Sequence, residues 1–155
     1  MNARKIVVGL GVCLVVAALS LAADDAFTGT WKLNEGRSKI SAGMPKNSTV
    51  VYEATGENVK VTIDGTDASG KATHSEWSGK FDGKDYPVTG DPSADTRSVK
   101  KVDDHTLAVN SKKDGKIRTS GRVVVSADGK TRTVTISGTD SKGTKVTSVA
   151  VYDKQ

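Results

Sequence analysis

The chain has 155 residues, 35% of them hydrophobic and 26% charged, with a net charge of +5. That balance suits one globular domain with a modest core. The 23 basic and 18 acidic residues are interspersed rather than gathered in a block, so the chain lacks the electrostatic footprint of a nucleic-acid binder.

Residues 1–23 read as a signal peptide. Arg4 and Lys5 form a charged start, and Ile6 to Leu19 is an apolar run broken only by Gly9 and Gly11. Ser20-Leu21-Ala22-Ala23 then offers small residues for cleavage before Asp24-Asp25. The run falls short of the roughly 20 residues needed to cross a bilayer, and no second apolar stretch follows. An uncleaved anchor is the rival reading. Cys13 does not suit a lipoprotein signal, because Val12 stands where a small residue is required and the position falls inside the apolar run. The expected product is a periplasmic or secreted domain over residues 24–155, with no membrane span. It contains no cysteine, so no disulfide staples it. Without Arg4 and Lys5 it carries 21 basic residues against 18 acidic, a net of +3.

From there the chain reads as strand after strand. Phe27 to Leu33 opens the domain, and a loop through Gly36, Gly43 and Pro45 leaves room for a short helix within 35–47. Further strands are expected near 48–55, 58–64, 71–79, 84–89, 95–102, 105–113, 116–126, 130–138 and 144–152. Asp64-Gly65, Asp82-Gly83, Asp114-Gly115 and Asp128-Gly129 are all Asp-Gly pairs, the preferred chemistry of two-residue hairpin turns. Thr and Val, stiff and β-favouring, dominate between them. No window past the signal shows a helical apolar period.

An internal repeat organises the pattern. Residues 49–71 return as 122–144 at a constant offset of 73, without a gap and with 11 identities in 23 positions. A self-similar meander of this kind is satisfied by curling until its edges meet. The fold class is therefore all-β, a single antiparallel up-and-down barrel of about 8–10 strands preceded by the signal helix. Alternation puts Val59, Val61 and Ile63 on one face, and the repeat carries them onto Arg132, Val134 and Ile136. Tyr52 maps onto Val125. Strand 71–79 resists assignment, since neither Thr73, Ser75 and Trp77 nor His74, Glu76 and Ser78 is plainly the apolar set.

Gly29-Thr30-Trp31 on the first strand resembles the opening motif of lipocalins and their calycin relatives, which include fatty-acid-binding proteins. The run His74 to Gly90, with Trp77-Ser78-Gly79-Lys80-Phe81-Asp82-Gly83 and Tyr86-Pro87-Val88, is similar to uncharacterised exported bacterial proteins described as lipocalin-like. The resemblance implies a barrel closed by Gly29 and Trp31, with Gly29 allowing close strand approach and Trp31 filling the closed end. It lacks the later Thr-Asp-Tyr of lipocalins, and Lys154 is the nearest stand-in for the Arg that packs on the Trp.

Catalytic and metal chemistry find little support. Gly65 to Ala72 approaches a nucleotide-binding loop, but Ala72 stands where a Ser or Thr must hold magnesium, and a strand follows instead of a helix. Both copies of this segment read better as hairpin turns. His74 and Glu76 share a face and would need His105 or Asp67 to hold a metal, short of recognisable ligand spacing. No enzyme, cofactor or metal is expected. The best site argument concerns the barrel interior. Tyr52 and Arg132 fall at inward parity, and an inward Arg without an acidic neighbour suits a carboxylate. Trp77 and Tyr86 flank the Phe81-Asp82-Gly83 turn and are expected to line a mouth. Two functions follow. One is a monomeric exported barrel that binds a small apolar or amphipathic ligand; the other is a filled barrel acting through its surface, as an envelope interaction protein or a secreted protease inhibitor.

Overall fold

A computed structural model describes residues 25–140 and 142–155. The signal peptide expected over 1–23 lies outside the described residues. Ten strands are found among those residues: β1 (Gly29–Leu33), β2 (Lys46–Thr55), β3 (Asn58–Thr66), β4 (Ala72–Gly79), β5 (Asp82–Thr89), β6 (Thr96–Asp103), β7 (Thr106–Lys113), β8 (Lys116–Val125), β9 (Thr131–Thr139) and β10 (Lys145–Lys154). Each pairs antiparallel with its neighbours in chain order, and the short β1 bridges β2 and β10 to close the barrel. A single 3₁₀ turn over Glu35–Arg37 is the helix for which the 35–47 loop left room. Among the described residues no helix is long and apolar enough to cross a membrane.

The Asp-Gly pairs do not all behave as expected. Asp114-Gly115 is a two-residue hairpin turn with both φ angles positive, 51° and 71°. Asp64-Gly65, however, lies inside β3, and Asp82-Gly83 opens β5 within an irregular register against β6. Asp128-Gly129 belongs to a five-residue loop between β8 and β9. At Gly65 the reason is steric: a Cβ there would lie 2.3 Å from the Lys46 carbonyl, so only glycine lets β2 pass this closely.

The repeat is preserved in one hairpin and altered in the other. Thr66 faces Ala72 and Thr139 faces Lys145, so the β3–β4 and β9–β10 hairpins share one register. By contrast Val50 faces Ile63, whereas its repeat mate Val123 faces Val134, two residues away from the mate of Ile63. The cause is the loop. Thr55 pairs with Asn58 around a tight Gly56-Glu57 turn, while the aligned segment of the second copy spends five residues between Val125 and Thr131. A slip of two keeps every side chain on its own face, so both versions bury the same alternating set.

Hairpins β2–β3, β4–β5, β6–β7 and β8–β9 lie at one end of the barrel, where Phe27, Trp31, Leu107 and Val125 form its most buried core. In β4 the inward set is Ser75, Trp77 and Gly79, which resolves the ambiguous strand. Alternation misled there because two of the inward positions carry little apolar surface.

One seam of the barrel is short. Pairing of β4 with β5 is confined to Glu76–Thr89 and Trp77–Val88. Val88 donates its amide to the Asp95 carbonyl at 2.9 Å on the β6 side, so the neighbouring positions must donate toward β4. Pro87 has no N–H to give, and the ladder stops. Aromatic rings fill the gap below it. Trp77 stacks on Phe81 with centroids 6.4 Å apart and meets Tyr86 edge-on at 5.9 Å. The Tyr86 ring lies against Gly79, where a Cβ would come within 2.6 Å of it. Gly79→Ala is accordingly expected to displace this ring and cost about 1–3 kcal/mol in urea unfolding.

Candidate ligand cavity

A cavity of about 900 Å³ occupies the barrel interior and opens at the end formed by the β3–β4, β5–β6, β7–β8 and β9–β10 turns together with residues 40–45. Its wall is built from both copies of the repeat, since Val61 and Ile63 line it on one side and their mates Val134 and Ile136 on the other. Val99 and Val109 continue the apolar wall. The β-branched residues that make these segments strands therefore also make the lining apolar.

The floor breaks the repeat. Arg132 stands where the first copy has Val59, and it is only 4% exposed. Its guanidinium carbon lies 4.6 Å from the Tyr152 ring centroid, 5.1 Å from that of Tyr52 and 5.9 Å from that of Trp31. These ring faces favour a cation but accept no strong hydrogen bond along its N–H directions. Nε and Nη1 are buried without a hydrogen-bond partner. These two N–H groups are enclosed among the rings and meet no acceptor. Tyr52, with Val125 as its repeat mate, lies beside it and also lines the cavity. Tyr152 donates its hydroxyl to the Asn47 carbonyl at 3.0 Å, which fixes the third ring.

Beneath the floor Trp31 is completely buried and donates its indole N–H to the Phe27 carbonyl at 2.9 Å. Phe27, expected to begin the first strand, instead lies in the turn before it and supplies this acceptor. Gly29 has φ +120°, and a Cβ there would meet the Lys154 Cε at 2.9 Å. The Lys154 ammonium in turn sits 5.4 Å from the Trp31 ring centroid. Glycine at 29 thus lets the lysine stem cross to the indole.

Sequence reasoning brought Tyr52 and Arg132 to one place, and the structure has them in contact. Trp77 also lines the cavity, with its indole N–H donated to the Arg97 carbonyl at 2.9 Å. Tyr86 does not reach it. Its ring packs on Gly79 and its hydroxyl donates to Asp82 Oδ2 at 2.9 Å, at the end away from the opening. The mouth expected beside Trp77 and Tyr86 is therefore the closed end, because Phe81 and Tyr86 plug the short seam there.

A second inward cation was missed. Arg97 reaches Asp91 Oδ2 at 3.2 Å and Ser111 Oγ at 3.0 Å from within the wall. Burial holds its pKa below the usual arginine value, and Asp91 opposes that shift. Its inward parity was legible from Val99 two residues on, but the Asp91 partner lies in a loop that no periodicity predicts.

The segment resembling a nucleotide-binding loop is a hairpin turn, as is its repeat copy. Asp67 Oδ1 accepts the amides of Ser69 and Lys71 at 2.9 and 3.0 Å, and Asp140 Oδ1 accepts those of Lys142 and Thr144 at 2.9 Å each. The aspartate holds its own turn, and β4 follows directly. His74 and Glu76 lie 3.9 Å apart, from Nε2 to Oε1, and each has a closer partner. His74 Nδ1 lies 2.6 Å from Asp64 Oδ1, while Glu76 binds Lys60 at 2.9 Å. Among the described residues no group of three or more His, Cys, Asp or Glu could hold a metal. The Asp64 hydrogen bond and charge raise the His74 pKa. An NMR titration is expected to place it above the ordinary value of about 6.5, and Asp64→Asn to bring it back. Since the folded value is the raised one, the small stabilisation from this exposed pair is complete below the unfolded pKa. It is lost as pH rises through the folded pKa.

No family model matches the chain, and no curated protein matches it. Among solved structures it is similar to a redesigned β-barrel, mFAP1, bound to DFHBI, at 14% identity and a TM-score of 0.43, with 83% of this chain and 95% of that one covered. A second redesigned β-barrel is 13% identical with a TM-score of 0.45, covering 84% of this chain and 92% of its own.

Proposed function

We propose that this chain is an exported, lipocalin-like barrel that carries one amphipathic small molecule, with an anionic group of the ligand on Arg132 and its apolar body along the valine and isoleucine wall. The observation that carries this reading is Arg132, which lines the open cavity and whose enclosed Nε and Nη1 have no hydrogen-bond partner. Burying a charge without a partner costs several kcal/mol, so a fold that keeps one there is best explained by a ligand that completes it. A carboxylate can take two parallel N–H bonds from such a group. The apolar run over 1–23 supports export, and Gly29 and Trp31 with the 74–90 segment support the lipocalin-like reading. The rival reading, a filled barrel acting only through its surface, is disfavoured by an interior volume of about 900 Å³.

The test is native mass spectrometry of the exported protein from its own host, followed by thermal shifts against long-chain carboxylates and the matching alcohols. Carboxylates are expected to stabilise the barrel by about 2–3 kcal/mol at a hundredfold excess over Kd, and the alcohols by much less. No bound mass together with no shift across the panel would overturn the proposal.

A further inference from the structure

The rim of the opening is electrically divided. On one side, the β7–β8 and β9–β10 hairpins project Lys113, Lys116, Arg118, Lys142 and Lys145. Among the described residues none of these five makes an ion pair, although nine such pairs are formed elsewhere. The two hairpins are neighbours, because β8 pairs with β9. Three acids accompany them: Asp114, Asp95, whose Oδ2 accepts the Asp114 amide at 2.9 Å, and Asp140, whose carboxylate is occupied by the amides of its own turn. The β3–β4 and β5–β6 loops carry Asp67 and Asp91 with a single Lys71, so cations outnumber acids on the β7–β10 side and not on these two loops.

Ile117 stands in the middle of the basic side. It is 58% exposed, the most exposed large hydrophobic residue described, and it also lines the cavity entrance. One exposed isoleucine is ordinary on a soluble protein. Flanked by Lys116 and Arg118 at a hairpin tip, with more cations on the adjacent tip, it has the composition of a surface that meets the boundary between headgroups and acyl chains. We infer that the barrel docks mouth-first on anionic bilayers through the β7–β8 and β9–β10 hairpin tips, with Ile117 entering the headgroup layer and the five cations facing the lipid phosphates. Docking in this orientation brings the cavity entrance against the bilayer. It does not depend on what the cavity holds.

The test uses residues 24–155, since the closed sheet and its core lie within the described part of that segment and the apolar run over 1–23 would itself partition into lipid. Co-sedimentation is measured with vesicles containing about one-third phosphatidylglycerol in phosphatidylcholine, and with pure phosphatidylcholine. Binding is expected only to the anionic vesicles, and it should weaken steeply as salt shortens the screening length. Lys116→Glu with Arg118→Glu should reduce binding at least about tenfold, and Ile117→Ser should weaken it at unchanged net charge. Lys100→Glu with Lys130→Glu alters net charge equally at the closed end and should leave binding within about twofold. Circular dichroism checks that each variant is folded. The inference is overturned by absence of binding to anionic vesicles, by equal loss in the closed-end variant, or by full retention in the Ile117 and rim-charge variants.

Discussion

Arg132→Met should make the empty barrel more stable and, at the same time, unable to prefer an anionic ligand. Two opposing terms decide the sign for stability. The three aromatic faces around the guanidinium lie 4.6–5.9 Å away and favour the charge. Such contacts contribute about 0.5–2 kcal/mol each, the larger values applying to the nearest and driest. Against them stand the desolvation of a full charge, several kcal/mol even after relaxation, and two nitrogens left without acceptors at about 1–3 kcal/mol each. Desolvation wins, and a methionine of similar length keeps most of the packing. The expected gain is about 1–2 kcal/mol in urea unfolding of ligand-free protein. Carboxylate-induced thermal shifts should fall to the level of the alcohols. A residue retained only for packing would show the reverse, with lower stability and unaltered ligand preference, and that outcome would remove the case for Arg132 as an anion site.

Trp31→Ala should cost about 3–5 kcal/mol, enough to unfold a large fraction of a domain whose total stability is of order 5–15 kcal/mol. The indole is fully buried beneath the cavity floor and carries both the Phe27 carbonyl bond and the Lys154 stem. Removing it deletes the largest buried side chain at the closed end and leaves the Phe27 carbonyl without its donor. It also takes one ring from beneath Arg132. Trp31→Phe separates these effects, since it keeps most of the volume and loses the hydrogen bond. It should therefore cost about 1–2 kcal/mol. The comparison is made by chemical unfolding. A loss below about 1 kcal/mol for Trp31→Ala would mean that β1 does not close the barrel as described.

The two halves of the candidate site differ in how readable they were. Tyr52 and Arg132 stood out because they are where the repeat changes chemistry: Val125 answers Tyr52, and Val59 answers Arg132. A departure from a repeat at inward parity is a signal that a single sequence carries. Arg97 has no such contrast, because β6 falls outside the repeated segment and its Asp91 partner comes from the β5–β6 loop. Tyr86 was misplaced for another reason. Its nearness in sequence to Trp77 is real in space, but whether their end of the barrel opens depends on Pro87 halting the β4–β5 ladder and on Phe81 filling the gap.

The all-β class, the closed up-and-down order and the faces of most strands were determined by the chain itself, with strand number bracketed at about 8–10, because alternation, β-branching and tight turns act through neighbours a few residues apart. Register was not. The aligned segments around Gly56 and Gly129 fold into loops of two and five residues, and a slip of two leaves the inside and outside residues unaltered, so no pattern along the chain records the choice. Long-range pairing alone decided it, and with it which end of the barrel stays open and that Arg132 comes to lie among Trp31, Tyr52 and Tyr152 at the floor of the cavity.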